Sequence, residues 1–215
     1  VPNVDDVGDL SASNGGGTPV KLGVSGEKEY AGKGVSYCAV CDGAFFKGER
    51  LAVVGGGDAA VEEADYLTRY ASKVHLVHRR EEFRASKILQ ERTFANPKIE
   101  VIRNTVVPEI VGNEKGVQHV VLEDTGTGER TNLPVGGVFV FIGFKPNTQL
   151  IEGHVDHDAG GYFTTDERMM TSMPGLFAAG DVRSQLTRQI TTAVGDATTA
   201  AIAVEKYLKA LREGD

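Results

Sequence analysis

Apolar runs alternate with glycine turns and amphipathic stretches from residue 51 onward, and this pattern predicts an α/β fold. Residues 51–54 are apolar and end at three glycines, as a buried parallel strand does. Residues 58–70 then place apolar side chains at helical spacing, and residues 74–78 return to a strand pattern. A strand, a glycine turn, a helix and a second strand begin a Rossmann-like doubly wound sheet. On the exposed face of the helix we expect an i,i+4 ion pair between Asp65 and Arg69.

The middle of the chain predicts a second helix and a small antiparallel meander. The helix covers residues 84–95 and ends at Asn96-Pro97. The meander consists of strand-like runs at 100–107, 117–122 and 131–133, with a glycine turn between the last two. Residues 138–142 are apolar throughout, which favours a return to the parallel sheet.

The C-terminal region predicts a strand at residues 175–181 and a long amphipathic helix after it. Unless something covers it, the apolar stripe of this helix is exposed and favours association with another copy or another chain. The stripe contains Ile190, Val194, Ala197, Ala201, Val204, Leu208 and Leu211. We predict three segments: an irregular one at 1–22, a domain at 23–145, and at 146–215 the C-terminal part of a second Rossmann-like domain.

Composition removes several classes of function. The 215 residues carry 23 Lys and Arg against 30 Asp and Glu, a net charge of −7, which argues against nucleic-acid binding. No apolar run approaches the roughly 18 residues of a membrane span, and the N-terminus lacks the pattern of a secretion signal, so we expect a cytoplasmic protein without membrane contact. Two cysteines and five scattered histidines predict no metal site.

A glycine-rich turn between the first strand and helix is the first candidate for chemistry. It fits G-x-G-x-x-A, in which the glycines allow a tight turn and close approach of a pyrophosphate to the helix N-terminus. A plain glycine turn is the alternative. The candidate cofactor-binding residues here are Gly55, Gly56, Gly57, Asp58 and Ala59, followed by Ala60.

A basic cluster follows the second strand, where NAD-binding units place an acidic residue on the ribose 2′-hydroxyl. Arginines at this position favour the 2′-phosphate of NADPH, since a guanidinium binds phosphate bidentately. Alternatively, Glu81 and Glu82 pair with the arginines and the cluster is a solvated surface. The residues of the cluster are His78, Arg79, Arg80 and Arg84.

Two further sites complete the candidates. Cys38 and Cys41 have C-x-x-C spacing, which suits a redox-active dithiol, with Asp42 able to donate or accept a proton; two buried structural cysteines are the alternative. Gly180-Asp181 closes the predicted C-terminal strand, and its carboxylate could bind a sugar-like hydroxyl or merely form a turn.

These sites, in this order, resemble the low-molecular-weight thioredoxin reductases. The resemblance implies flow of electrons from NADPH through FAD and the dithiol to thioredoxin or a similar small dithiol protein, in a homodimer. It implies that Cys38 exchanges with thioredoxin, that Cys41 faces the flavin and that Asp42 is the acid–base residue. It places the following residues at cofactor sites: Ile142, Gly143, Gly180, Asp181, Arg188, Gln189 and Ile190.

One feature of that family is missing from the sequence. The family begins with a strand and a glycine fingerprint for the ADP part of FAD, and no such pattern precedes Cys38 here. We therefore expect an N-terminally truncated member with a complete NADPH domain. A non-catalytic NADPH-binding dithiol module remains an alternative, as does a related flavoprotein that reduces a peroxiredoxin.

Overall fold

The computed structural model describes residues 16–149, 151 and 153–213. They form two compact units, each described by itself below: a dithiol unit, Pro19–Gly143, and a C-terminal unit made of residues 16–18 and those from Phe144 onward. The predicted irregular segment at 1–22 lies largely outside the described residues. Of its described part, residues 17–19 form a strand instead.

A five-stranded parallel sheet is the centre of the dithiol unit, in the order β2-β9-β3-β4-β5. Its strands are β2 (Val35–Ser36), β3 (Arg50–Gly55), β4 (Lys73–Val77), β5 (Ile99–Ile102) and β9 (Gly137–Phe141). Three helices accompany it: α1 (Ala39–Asp42), α2 (Asp58–Leu67) and α3 (Lys87–Phe94). The parallel register places Val53 opposite Leu76 on one side and Phe139 on the other, so β3 is central.

The sheet is covered on both faces because its strands are apolar on both. Leu51, Val53 and Phe139 pack against the helices. Ala52 and Val138, on the other face, pack against an antiparallel meander. The meander consists of β6 (Thr105–Asn113), β7 (Gly116–Asp124) and β8 (Arg130–Pro134). This arrangement confirms the predicted α/β fold with a parallel sheet and an antiparallel meander.

The predicted Asp65–Arg69 ion pair is wrong. Asp65 instead accepts hydrogen bonds from Arg92 Nη2 at 2.7 Å and Asn96 Nδ2 at 2.9 Å, so it joins α2 to the end of α3. Arg69 lies over the Tyr66 ring, 4.8 Å from its centroid. Asp65 therefore contacts residues that folding brings close, and not the arginine four positions further along its own helix.

Apart from Pro19, the two-stranded sheet of β1 (Gly17–Pro19) and β10 (Phe144–Pro146) belongs to the C-terminal unit, as does the long helix α4 (Ile190–Glu213). The predicted strand at 175–181 is wrong. Phe177 makes one isolated bridge to Met170, and Gly180, at a φ of 76°, begins a short 3-10 turn. A strand needs a continuous ladder of backbone partners, and the described part of this unit supplies residues 175–181 with a single bridge.

Helix α4 buries Ala200 and exposes most of the predicted apolar stripe, in which Val204 is half-buried. Ala200 is 9% exposed, whereas Ile190 is 84%, Val194 60% and Leu211 59% exposed. Among the described residues, no helix has the length and apolar character needed to cross a bilayer.

Candidate functional site

The two cysteines form a disulfide at the start of α1 in the dithiol unit. Cys38 is the N-cap of this one-turn helix, and its Sγ accepts a hydrogen bond from the Cys41 backbone N–H at 3.1 Å. Cys38 is half-buried and Cys41 is exposed. The alternative of two buried structural cysteines therefore fails, because one sulfur-bearing residue faces solvent.

Asp42 is held beside the disulfide by a residue that the sequence analysis missed. The Ser36 hydroxyl donates to Asp42 Oδ2 at 2.6 Å and accepts from the Cys38 backbone N–H at 3.1 Å. Ser36 is buried on β2, the edge strand that leads into the motif. Its position two residues before Cys38 is the sequence feature that could have identified Ser36. The direction of its hydroxyl toward Asp42 depends on strand pairing.

The glycine loop between β3 and α2 has two sterically different glycines. A Cβ on Gly55, whose φ is 156°, would lie 2.3 Å from the Phe141 carbonyl oxygen and 2.6 Å from the Ala60 Cβ. A Cβ on Gly57, the N-cap of α2, would meet nothing within 4 Å. Gly55 is thus required by packing, whereas Gly57 leaves open space at a helix N-terminus, where backbone N–H groups lack intrahelical partners.

The basic residues lie on the loop after β4, next to the glycine loop. Arg84 N–H donates to the Gly56 carbonyl at 2.8 Å, which docks one loop on the other. Arg79, Arg80 and Arg84 are exposed, and within the described chain no ion pair engages their guanidinium groups. Glu81 accepts from Asn104 instead, at 2.7 Å, so in the described structure it does not pair with the arginines.

His78 is buried, unlike the exposed arginines that follow it in sequence. It is 7% exposed, its ring centroid is 4.5 Å from that of Phe83, and its Nε2 lies 3.0 Å from the Glu82 carbonyl oxygen. A Cβ on Gly56 would lie 2.2 Å from the His78 ring. Burial lowers the pKa of His78, so the neutral ring is favoured under the glycine loop.

The remaining candidates of this unit follow β9. Ile142 is half-buried and packs against the meander-side core. Gly143 is exposed at a φ of 141°, and a Cβ there would lie 3.2 Å from Val20. Asp58 and Ala59 are exposed at the first turn of α2. In the dithiol unit the loop that carries the arginines is thus joined to the glycine loop, with Gly57 and Asp58 at the start of α2.

The C-terminal unit places Gly180 and Asp181 in the 3-10 turn before α4. Gly180 N–H donates to Asp196 Oδ2 at 3.0 Å, and Asp196 also forms an ion pair with Arg183 at 2.8 Å. Burial raises the pKa of the half-buried Asp181, and the Arg188 guanidinium opposes that shift. Asp196 is a second residue that sequence reasoning missed, and nothing in its local pattern distinguishes it from a surface residue.

Arg188 precedes α4 and lies over an aromatic ring. Its guanidinium carbon is 3.8 Å from the centroid of Tyr162, and its buried Nε has no hydrogen-bond partner in the described structure. A buried donor without a partner is costly, which makes this nitrogen a candidate contact for a bound group. Gln189 and Ile190 follow it on the exposed side.

In the part of the chain that the structure describes, no cluster of three or more His, Cys, Asp or Glu side chains could hold a metal ion. The Cys38–Cys41 disulfide makes thiol–disulfide exchange available in the dithiol unit.

Comparison with known proteins matches this arrangement. The family model for pyridine nucleotide-disulphide oxidoreductases matches residues 14–197. Thioredoxin reductase from Listeria innocua is 52% identical over 90% of this chain and 60% of that protein, and the Bacillus subtilis enzyme is 52% identical over 90% and 61%. The crystal structure of thioredoxin reductase from Streptococcus pyogenes superposes with a TM-score of 0.88 at 52% identity, covering 91% of this chain and 64% of that one. The chain thus spans about three fifths of the length of these relatives.

Proposed function

Because the chain belongs to the pyridine nucleotide-disulphide oxidoreductase family, we propose that it acts in thioredoxin-disulfide reduction. Electrons would pass from NADPH through FAD to the Cys38–Cys41 disulfide, and from the resulting dithiol to thioredoxin or a similar small dithiol protein. The observation that carries this proposal is the half-exposed disulfide in the same unit as the glycine loop and its unpaired arginines.

The glycine loop fits a dinucleotide. The open space at Gly57 lies at the N-terminus of α2, and that helix end favours negative charge. Arg79, Arg80 and Arg84 are exposed beside it, free to bind a 2′-phosphate, which supports NADPH rather than NADH.

FAD is assigned to the C-terminal unit, and one atom supports this: the buried Nε of Arg188, which has no hydrogen-bond partner among the described residues. Gly180, Asp181, Gln189 and Ile190 would hold the cofactor together with Arg188. When bound, NADPH would supply a hydride and FAD would accept its two electrons. The assignment of residues 146–215 to an FAD-binding domain, and of 23–145 to an NADPH-binding domain, rests on these fits.

The chain's own residues perform the disulfide chemistry. Reduction of the Cys38–Cys41 bond takes two electrons and two protons and gives two thiols. The Cys38 thiolate then attacks the partner's disulfide to form a mixed disulfide, and Cys41 displaces the reduced partner while the original bond reforms. Asp42, oriented by the Ser36 hydroxyl, is placed to give or take the proton of a departing or attacking sulfur.

Exposed apolar side chains next to the disulfide support a protein partner. Val40, between the cysteines, is 56% exposed, and Phe45, in the 3-10 turn after α1, is 83% exposed. Exposed aromatic residues of this kind are typical of protein interfaces. The exposed stripe of α4 supports a homodimer in the same way, and a cytoplasmic location remains a prediction.

The visible absorption spectrum of the purified chain, recorded before and after anaerobic addition of NADPH, tests the proposal. We expect a flavin band that bleaches with NADPH and returns on addition of oxidised thioredoxin, and a Cys38→Ser variant in which it bleaches but thioredoxin does not restore it. NADPH binding without a flavin band, even after incubation with FAD, would leave an NADPH-binding dithiol module and refute turnover.

A further inference from the structure

Two loops of the dithiol unit are joined so that the position of one depends on the other. We call residues 78–86 the arginine loop, because they carry Arg79, Arg80 and Arg84. The backbone N–H groups of Arg84 and Ala85 both donate to the Gly56 carbonyl, at 2.8 and 3.2 Å. The arginine loop is therefore held at one point by the backbone of the glycine loop.

Asp58 makes a second connection between the loops. Its Oδ1 accepts a hydrogen bond from the Ser86 backbone N–H at 2.7 Å, across 28 positions of sequence. Ser86 is the N-cap of α3, and its own side chain makes no capping hydrogen bond in the described structure. Asp58 thus caps the N-terminus of α3 from the first position of α2, and so fixes the end of the arginine loop.

Asp58 carries a negative charge at the helix end where a phosphate is proposed to bind. A carboxylate at the N-terminus of α2 competes with any phosphate at the same helix end, and repels it. A neutral residue there would avoid that cost. The Asp58 carboxylate instead stabilises the conformation of the arginine loop, whose exposed guanidinium groups can bind a second anion.

We propose that Asp58 is a positioning residue that sets the preference for a 2′-phosphorylated nucleotide, by holding Ser86 and with it the guanidinium groups of the arginine loop. The inference rests on the proposed binding of NADPH at this site. Asp58 acts through the backbone of Ser86 and not by contact with the phosphate.

The chain offers a matched control. Asp65 also connects α2 to α3, through Arg92 and Asn96, but at the far end of both helices from the glycine loop. Replacing Asp65 loosens the same pair of helices without releasing Ser86. An effect that requires Asp58 in particular is therefore distinguishable from a general loss of packing.

Isothermal titration of the full chain with NADPH and with NADH tests the inference. We expect Asp58→Ala to reduce the ratio of NADPH to NADH affinity by about tenfold or more, chiefly through NADPH, since misplaced arginines lose their bidentate contacts to phosphate. Asp58→Asn keeps an acceptor oxygen and should retain the wild-type ratio within about threefold. Asp65→Ala should leave the ratio unchanged.

A second variant removes the same bond from the other side. Ser86→Pro deletes the donor N–H, and the φ of −58° at Ser86 suits proline. We expect it to lower the ratio as Asp58→Ala does, with no further loss in the double variant. An unchanged ratio in both single variants would overturn the role of Asp58 while leaving the proposed function intact. A wild-type chain without preference for NADPH would overturn the cofactor assignment itself.

Discussion

Replacing Gly57 with alanine separates nucleotide binding from folding. Gly57 has φ −92° and ψ 179°, a conformation open to alanine, and the added Cβ would meet nothing within 4 Å. Alanine is a poorer N-cap than glycine, but it also restricts the unfolded chain. These effects oppose each other, so we expect a net change within about 1 kcal/mol in the free energy of unfolding.

Binding should respond more strongly, because the new methyl group occupies the space proposed for the pyrophosphate. Losing one charge-assisted hydrogen bond from the helix N-terminus costs about 1.5–3 kcal/mol, which corresponds to about 10- to 150-fold weaker binding of NADPH. Isothermal titration with NADPH measures the affinity, and urea unfolding measures the stability. A Gly57→Ala chain that binds NADPH as tightly as wild type would refute the assignment of this loop.

Two further glycines provide the controls. Gly56→Ala places a Cβ 2.2 Å from the His78 ring, so it should lose about 1–3 kcal/mol of stability by overpacking. Gly195→Ala lies in the interior of α4, with nothing within 4 Å of its Cβ, and should gain about 1 kcal/mol without changing NADPH affinity.

Three other predictions follow from the same contacts. Leu67→Ala, at a fully buried position of α2, should cost about 2–5 kcal/mol in urea unfolding, and a loss under 1 kcal/mol would contradict the packing described. Ser36→Ala should slow thioredoxin reduction while sparing flavin reduction, because Asp42 loses its donor at 2.6 Å; equal slowing of both would argue against that role. Burial lowers the pKa of His75 and His78 from the ordinary 6.5. Because both histidines keep their ordinary pKa in the unfolded chain, the unfolded chain binds protons more readily than the folded one. The free energy of unfolding should therefore fall as pH drops below about 6.5, and a urea midpoint that stays constant between about pH 8 and 5 would refute this.

Much of the site could be predicted because its signals are local. A strand that ends in glycines before a helix predicts dinucleotide binding, with a plain glycine turn as the alternative, and the structure leaves open space at Gly57. The C-x-x-C spacing brings two sulfurs within one helical turn, so the disulfide needs no distant partner. The basic cluster is identified by its distance from the glycines, because one helix and one strand, α2 and β4, lie between them.

The amino-acid sequence by itself determined the order of elements and the types of residue at each site, because hydrophobic periodicity and turn chemistry act over a few positions. Tertiary structure decided which groups meet. It gave Asp65 a partner on α3, buried His78 under Gly56, aimed Ser36 at Asp42 and connected Asp58 to Ser86. Residues 175–181 form no strand, because a ladder of backbone hydrogen bonds depends on a neighbouring strand that the local sequence does not specify.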